Sequence, residues 1–184
     1  MTILIAKAVL LRPVKLDDLP LFLKWFNDPQ ITRWLSWRDE TPLTEGFELR
    51  WIVELPSKKD WIVFVIEARV GKATIPIGIC SLHDIDFKNQ HAGLGVTIGE
   101  KEYQDKGYGT EAARLLIDYA FRKLNLNRLE SIVLAYNNRS IRVLTKLGYK
   151  KEGCCRKCVL KNGKFEDVLI FGLLRHEYYT QKNK

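Results

Sequence analysis

The stretch Gln104-Asp105-Lys106-Gly107-Tyr108-Gly109-Thr110 separates a strand-forming run, residues 94–99, from a strongly amphipathic segment. Its two glycines permit backbone conformations that a Cβ forbids, and they let a ligand approach the main chain closely. Successive N–H groups of such a turn can face one concavity, and the following helix adds free N–H groups and the positive end of its dipole. The stretch therefore predicts a strand, a turn and a helix that together suit a diphosphate.

The spacing of this turn excludes two other phosphate loops. It is not the G-x-x-x-x-G-K-[ST] loop of nucleoside-triphosphate-binding proteins. It is not G-x-G-x-x-G either, because the residue three beyond Gly109 is Ala112. Taken alone, a plain glycine turn at a helix start explains the stretch about as well as phosphate binding does.

A second motif follows downstream, where Asn137-Asn138-Arg139-Ser140 precedes a short helical run that Gly148-Tyr149 closes. With the first motif it resembles the GNAT superfamily of N-acetyltransferases. That family's acetyl-CoA loop reads Gln/Arg-x-x-Gly-x-Gly/Ala, and its later signature is an Asn, a small residue three on and Gly-Phe/Tyr eleven on. Asn27-Asp28-Pro29, and Asn162-Gly163-Lys164 with Asp167, resemble the branch of the ribosomal-protein N-terminal acetyltransferases. The resemblance covers nearly the whole chain.

The resemblance implies an α/β (α+β) fold over residues 1–184 as a single GNAT acetyltransferase domain. Its central sheet is mixed and mostly antiparallel, with two splayed parallel strands, and helices flank it. Periodicity and turn residues predict strands at 7–13, 61–67, 75–82, 92–98, 129–135, 157–160 and 166–174, with a turn over 68–74. They predict helices after Asp17 or Asp18, from Thr44 to before Pro56, from Thr110 to about Leu124, and within 137–147.

Composition restricts the location and the partners. The 184 residues are 46% hydrophobic, yet no apolar run is long enough to span a bilayer, and no convincing signal peptide is present. We therefore expect a cytoplasmic protein with no membrane association, either monomer or homodimer. The net charge is +8, but the basic residues are dispersed, which predicts no direct nucleic-acid role. The charge suits a polyanionic cofactor or an acidic protein substrate, and it suits a polycation such as spermidine less well.

Three of the four cysteines crowd into residues 154–158, where Cys155 and Cys158 form a C-x-x-C pair. A structural zinc site needs four ligands, and the sequence has no second pair. We therefore expect reduced thiols and no metal.

The resemblance implies direct transfer of an acetyl group from acetyl-CoA to an amine. The pantetheine arm would lie between strands 92–98 and 129–135 and pair with the backbone of Val96, Thr97 and Ile98 like an added strand. An amide there would polarise the thioester carbonyl. Asn137 and Ser140 would contact the arm near its sulfur. The predicted pyrophosphate contacts are Gln104, Asp105, Lys106, Gly107, Tyr108, Gly109 and Thr110.

Several of the family's usual proton-transfer groups are absent. Leu144 stands where a Tyr general acid is frequent, Gly93 where many relatives have Glu, and Val159 where some ribosomal-protein acetyltransferases have a base. Ser140 is the predicted proton donor to the thiolate; the alternative is a hydroxyl that caps the following helix. Asn137 is interpreted as a cofactor ligand or a residue that starts the helix. The predicted catalytic set is Ser140, Asn137 and Glu100, and His83, Asp84 and His91 are further candidate bases.

The sequence says least about the amine that accepts the acetyl group. Trp34, Leu35 and Trp37 either line a substrate pocket or pack in the core, and Trp34 and His83 are the predicted substrate-binding residues. An α-amino group, with an ordinary pKa of about 7.7–8.0 against about 10.4 for Lys, needs the weakest base. The missing carboxylates thus favour a protein N-terminus of the ribosomal-protein type. The alternatives are a small amine, such as an aminoglycoside or polyamine, and a non-catalytic acyl-CoA-binding sensor.

Overall fold

The computed structural model describes residues 3–36, 38 and 41–182 and arranges them around an eight-stranded sheet. The strands of this region are β1 Leu4–Ile5, β2 Val9–Pro13, β3 Ile62–Val70, β4 Ala73–Asp86, β5 His91–Ile98, β6 Arg128–Leu134, β7 Lys150–Lys161 and β8 Lys164–Leu174. Its α-helices are α1 Leu19–Phe26, α2 Pro29–Thr32, α3 Glu45–Glu54, α4 Tyr108–Arg122, α5 Asn138–Leu147 and α6 Arg175–Lys182.

The sheet order is β1-β2-β3-β4-β5-β6-β8-β7. Neighbouring strands are antiparallel except β5 and β6, which are parallel. The parallel pair has a short ladder that runs from His91↔Arg128 to Gly93↔Glu130, after which the two strands separate. The predicted mixed sheet with splayed parallel strands is therefore confirmed.

Helices cover both faces of the sheet. The apolar stripe of α4, which includes Leu116, Ile117 and Phe121, is fully buried and packs in the main core. On the opposite face, Phe22 of α1 and Ile52 of α3 pack in a second cluster. The two layers hold the β5–α4 loop and the β6–α5 turn next to the splayed strands.

The last hairpin is longer than predicted. β7 begins at Lys150 rather than at residue 157, and it is the edge strand next to β8. Most of its residues are exposed, so it lacks the apolar alternation that identifies a half-buried strand. Irregular pairing between Cys155 and Val159 disturbs the pattern further.

Two further boundaries differ from the prediction. The turn predicted over residues 68–74 shrinks to Gly71 and Lys72, and Gly71 has a left-handed φ of +61°. α4 begins at Tyr108 rather than Thr110, because Gly107, with φ +90°, already ends the loop in the left-handed conformation. By contrast, α3 starts after Thr44 as predicted, and the Thr44 hydroxyl accepts a hydrogen bond from the third residue of that helix.

Candidate active site

The gap between β5 and β6 beyond Gly93 and Glu130, here called the seam, is the first component of the site. Where the ladder ends, the Ser131 hydroxyl of β6 donates a hydrogen bond of 2.9 Å to the carbonyl of Leu94 on β5. On the β6 side, residues 96–98 of β5 pair with no strand in the described part of the chain. Their unpaired backbone groups can hold an extended ligand, as the predicted contacts Val96, Thr97 and Ile98 require.

The loop after β5 has the geometry of an anion site. Asp105 and Gly107 have positive φ values of +58° and +90°, which turn neighbouring N–H groups toward one side. The N–H groups of residues 108–110 open α4, and no acceptor in the ranges that the structure describes bonds them. Gln104 Nε2 donates to the Ile98 carbonyl at 2.9 Å and fixes the loop to the end of β5. The loop therefore fits a diphosphate.

Arg139 joins this loop to α5, on the other side of the seam. Its guanidinium donates to Gln104 Oε1 at 2.7 Å and to Asp105 Oδ2 at 2.6 Å. The Asp105 carboxylate, which would repel a phosphate, is thereby neutralised. Lys106 is exposed on the same loop and adds a positive charge.

We expect Arg139→Ala to weaken CoA binding about tenfold, because it leaves the Asp105 carboxylate unpaired beside the anion site. Titration calorimetry with CoA measures the effect. The double variant Arg139→Ala/Asp105→Asn removes the unpaired charge and should regain most of the lost affinity. An Arg139→Ala protein that binds CoA like the wild type would show that this ion pair has no part in cofactor binding.

Asn137 forms the turn between β6 and α5. Its Oδ1 accepts the N–H of Ser140 at 3.1 Å, which makes Asn137 the N-cap of α5, and its Nδ2 donates to the Trp34 carbonyl at 3.4 Å. The interpretation of the Ser140 hydroxyl as the helix cap is therefore wrong, because Asn137 already fills that position. The Ser140 hydroxyl makes no hydrogen bond within the described residues, so it can serve a ligand.

Trp34 lies against the end of β6 rather than deep in the core. Its ring centroid is 5.9 Å from that of Tyr136, and the Arg33 guanidinium carbon lies 4.9 Å from the Trp34 ring. The Tyr136 hydroxyl donates to the Arg33 carbonyl at 2.8 Å and fixes this wall. Leu35 packs against the cluster of α1 and α3, and Trp37 lies outside the described residues.

Glu100 has contacts that suit a structural role better than a catalytic one. Its carboxylate accepts a hydrogen bond from Trp25 Nε1 at 2.8 Å and pairs with Lys24 Nζ at 2.6 Å. Burial raises the pKa of Glu100, but the hydrogen bonds from Lys24 and Trp25 outweigh it and hold the pKa below its ordinary value. A carboxylate with a lowered pKa is a weaker proton acceptor, so the catalytic prediction for Glu100 gains no support from this geometry.

The other candidate bases differ in burial. His83 of β4 is half-buried near the start of the seam, and its ring centroid lies 5.5 Å from that of Trp61. Asp84 follows it, exposed, with φ +51°, at an irregularity in the β4–β5 ladder. His91 is exposed and faces a neighbouring carboxylate at 3.8 Å. Of these three side chains, His83 is the one sheltered beside the seam.

The positions at which the family's usual acids and bases are absent have no proton-transfer group in the structure either. Leu144 is buried in the core, and Val159 is half-buried on β7. Two residues of the site received no role from the sequence, Arg139 and Tyr136, although Arg139 lies within the second motif. The residues around them in the sequence predicted the turn between β6 and α5. Their hydrogen-bond partners, however, belong to elements distant in the chain.

No metal site is evident in the ranges that the structure describes. The thiols at positions 154, 155 and 158 are exposed on β7, and Cys80 is buried, which raises the pKa of its thiol. No group of three or more His, Cys, Asp or Glu side chains among the described residues could hold a metal ion. None of the helices in that part of the chain is long and apolar enough to cross a bilayer.

Known proteins share this sequence and architecture. A sequence profile described as the acetyltransferase (GNAT) domain matches residues 8–150. The spermidine N(1)-acetyltransferase of Escherichia coli (strain K12) is 31% identical over 96% of this chain and 91% of its own. The "Putative ribosomal N-acetyltransferase YdaF" of Bacillus subtilis (strain 168) is 37% identical over 57% of each chain. The crystal structure of spermidine N-acetyltransferase from Vibrio cholerae, in complex with CoA and spermine, superimposes with a TM-score of 0.86 at 21% identity, over 94% of this chain and 98% of that one.

The chain therefore belongs to the GNAT family of acetyltransferases. It is an N-acetyltransferase that uses acetyl-CoA as its co-substrate. The predicted family, fold and co-substrate are confirmed, and the relatives leave the acceptor amine open between a ribosomal protein and spermidine.

Proposed function

We propose that this acetyltransferase acts on the N-terminal α-amino group of a polypeptide, as acetyltransferases of ribosomal proteins do. The observation that carries the proposal is the charge at the start of the seam. Arg128 pairs with Glu130 of β6 at 3.0 Å and with Glu152 of β7, so both carboxylates are already engaged in ion pairs with one shared guanidinium. The hydrogen bonds from Arg128 hold the pKa of Glu152 below its ordinary value. A polycation needs free carboxylates, whereas a single α-ammonium does not.

A basic surface near the end of β6 supports the same acceptor. Arg156, Lys157 and Asp167 line an open cavity of about 630 Å³, in which cationic side chains outnumber the carboxylate. The Ala135 N–H donates to the Asp167 carbonyl at 2.9 Å, which places the cavity next to the turn that carries Tyr136. An acidic chain that follows the acceptor amine would be attracted to this surface.

The test is thiol release from acetyl-CoA with a panel of acceptors. The panel contains acidic peptides that begin with Ser, Ala or Met, the same peptides with a blocked N-terminus, and spermidine. We expect peptides with a free α-amine to have the highest kcat/KM and the blocked peptides to be inert. Turnover of spermidine above that of every free peptide would overturn the proposal.

A small amine is the second candidate, because the Escherichia coli relative that aligns over almost the whole chain is a spermidine acetyltransferase. For that acceptor, spermidine turnover should fall steeply with salt, since its recognition rests on charge.

The non-catalytic sensor is less well supported, because these relatives are N-acetyltransferases. A cytoplasmic location, as predicted, suits the exposed thiols at positions 154, 155 and 158.

In this mechanism acetyl-CoA supplies the activated acetyl group, and the chain supplies position and proton transfer. The loop at 104–110 would hold the diphosphate, and the backbone of residues 96–98 would hold the arm and polarise the thioester carbonyl. Asn137 fixes the start of α5 and thereby sets the place of Ser140. The Ser140 hydroxyl would give its proton to the departing sulfur, directly or through a water molecule.

We expect Ser140→Ala to lower kcat about 100-fold with little change in KM for acetyl-CoA, because it removes the proton donor. The melting temperature should be unchanged, since Asn137 rather than Ser140 caps α5. Thr145→Ala is the matched control, because that hydroxyl lies on the same helix and donates to the Ile141 carbonyl. A wild-type kcat for Ser140→Ala would remove Ser140 from the mechanism.

A further inference from the structure

We propose that His83 accepts the proton that the acceptor ammonium must lose before it attacks, a role that rests on the proposed transfer to an amine. The imidazole of His83, on strand β4, occupies the space beside Gly93 of the neighbouring strand β5. A titratable side chain thus stands beside the last residue of β5 that pairs with β6.

The distances at Gly93 show how closely the imidazole packs against β5. His83 and Gly93 are direct partners in the β4–β5 ladder. A Cβ placed on Gly93 would lie 2.2 Å from His83 Nε2 and 2.6 Å from Cδ2, which is too close for any side chain. A Cβ on Gly95 would lie 3.9 Å from Cε1 of the same ring. Any side chain at position 93 would therefore require the imidazole to leave its present position.

The imidazole also lies at the start of the seam, next to the proposed place of the thioester. Gly93↔Glu130 is the last pair of the parallel ladder, so His83 stands at the point where the seam opens. The β4–β5 ladder is regular up to His83 and irregular immediately after it, where Asp84 adopts a positive φ. Such an irregularity bends a strand and redirects its side chains, and it is common beside active sites.

The surroundings keep this imidazole in its proton-accepting form. Burial, to which the Trp61 ring contributes at 5.5 Å, lowers the pKa of His83 below its ordinary 6.5. Two carboxylates oppose this and raise the pKa, Asp84 on the same strand and Glu130 on β6, and burial outweighs them. At neutral pH the ring is therefore uncharged, and its lone pair is available.

With this assignment, the protons and electrons of the transfer reaction are all accounted for. The acceptor ammonium gives a proton to the imidazole, and the freed nitrogen lone pair forms the new C–N bond with the acetyl carbon. The C–S bond breaks with its electron pair on sulfur, which takes the proton proposed to come from Ser140. The second proton of the attacking nitrogen replaces it on the Ser140 oxygen, directly or through a water molecule, so the amide forms and the hydroxyl is restored. The imidazolium then releases its proton to solvent, and no oxidant or reductant is needed.

The first experiment compares kcat across pH at saturating acceptor, with the peptide or amine that the wild type turns over best. His83→Gln should lower kcat about 100-fold and abolish the acid limb that a group with a pKa below 6.5 imposes on the wild type. His176→Gln, which changes an exposed imidazole on α6, should keep the wild-type kcat and its acid limb. A His83→Gln enzyme with wild-type kcat, or with the same acid limb, would overturn the proposal.

The second experiment moves the base from β4 to β5. Gly93→Glu alone should be inactive and destabilised, because its Cβ collides with the imidazole. His83→Ala/Gly93→Glu has room for the new side chain and should recover at least about tenfold of the activity that His83→Ala loses. Circular dichroism and melting temperature establish that the double variant is folded. A folded double variant no more active than His83→Ala would count against a base at this place.

The third measurement separates the two proposals. If spermidine is turned over and no peptide is, the proposed acceptor class fails, but the pH profile of His83→Gln with spermidine still tests the base. Titration of the His83 ring by NMR in the free protein should give a pKa below 6.5. A ring that stays protonated at the pH of maximal kcat would reject His83 as the base, because it has no free lone pair there.

Discussion

Replacing Gly109 with Glu is expected to weaken CoA binding at least about 100-fold. A carboxylate about 4 Å from a phosphate costs about 4 kcal/mol at the effective dielectric constant of a protein surface. The Cβ itself fits, because it would lie 3.4 Å from Ile98 Cγ1 and 3.7 Å from Val96 Cγ1, which are ordinary contacts. The loss therefore comes from the charge at the anion site. Titration calorimetry with CoA measures it.

Gly46→Glu is the matched control for this variant. Gly46 is the second residue of α3, as Gly109 is the second residue of α4, and no atom lies within 4 Å of a Cβ placed there. Both substitutions add the same charge at the same helix position, and Glu is a better helix former than Gly. Equal affinities of the two variants for CoA would disprove the assignment of the loop.

Replacing Arg12 with Ala is expected to destabilise the fold by about 3–5 kcal/mol, because it leaves two sheltered carboxylates without their partner. The Arg12 guanidinium donates to both oxygens of Asp18, at 2.8 and 2.7 Å, and to Glu67 at 2.5 Å. These bonds hold the Arg12 pKa above its ordinary value. Asp18 is 3% exposed and also accepts the Lys15 N–H at 2.7 Å, so it cannot turn to water.

For a chain of this length the Arg12→Ala loss corresponds to a fall in Tm of roughly 10 °C, which calorimetry or circular dichroism measures. Arg122→Ala is the control, because the Arg122 side chain is exposed and its pair with Asp118 should add little to the stability of the fold. Adding Asp18→Asn and Glu67→Gln to Arg12→Ala should restore part of the stability. If Arg12→Ala melts no lower than Arg122→Ala, the buried network does not stabilise the fold.

The parts of the site that were predictable depend on local chemistry. Gly107 takes a left-handed conformation that few other residues accept, and Asn137 caps a helix with its own side chain. Both requirements act within a few residues, so a single sequence displays them. The amphipathic pattern of α4 is equally local, which is why the helix was found and only its first turn was misplaced.

The parts that were not predictable depend on partners distant in the chain. Glu100 looks like a free carboxylate in the sequence, and only the packing of α1 against the end of β5 brings Lys24 and Trp25 to it. The sequence shows that a carboxylate is absent at Gly93, but the ring that fills the space comes from the paired strand. The start of β7 was predicted at residue 157 rather than at Lys150. An exposed edge strand has no buried face, so its sequence shows no alternation of apolar and polar residues.

The seam is also a point where the sheet is expected to open locally. Beyond Gly93 and Glu130 the facing backbone groups of β5 and β6 have no ladder bonds, although the main core continues beneath both strands. Amides beside the seam should therefore exchange with a lower free energy of opening than those of the long β3–β4 ladder. A ligand that pairs with the backbone there stabilises the closed state, so saturating CoA should bring the two free energies closer together.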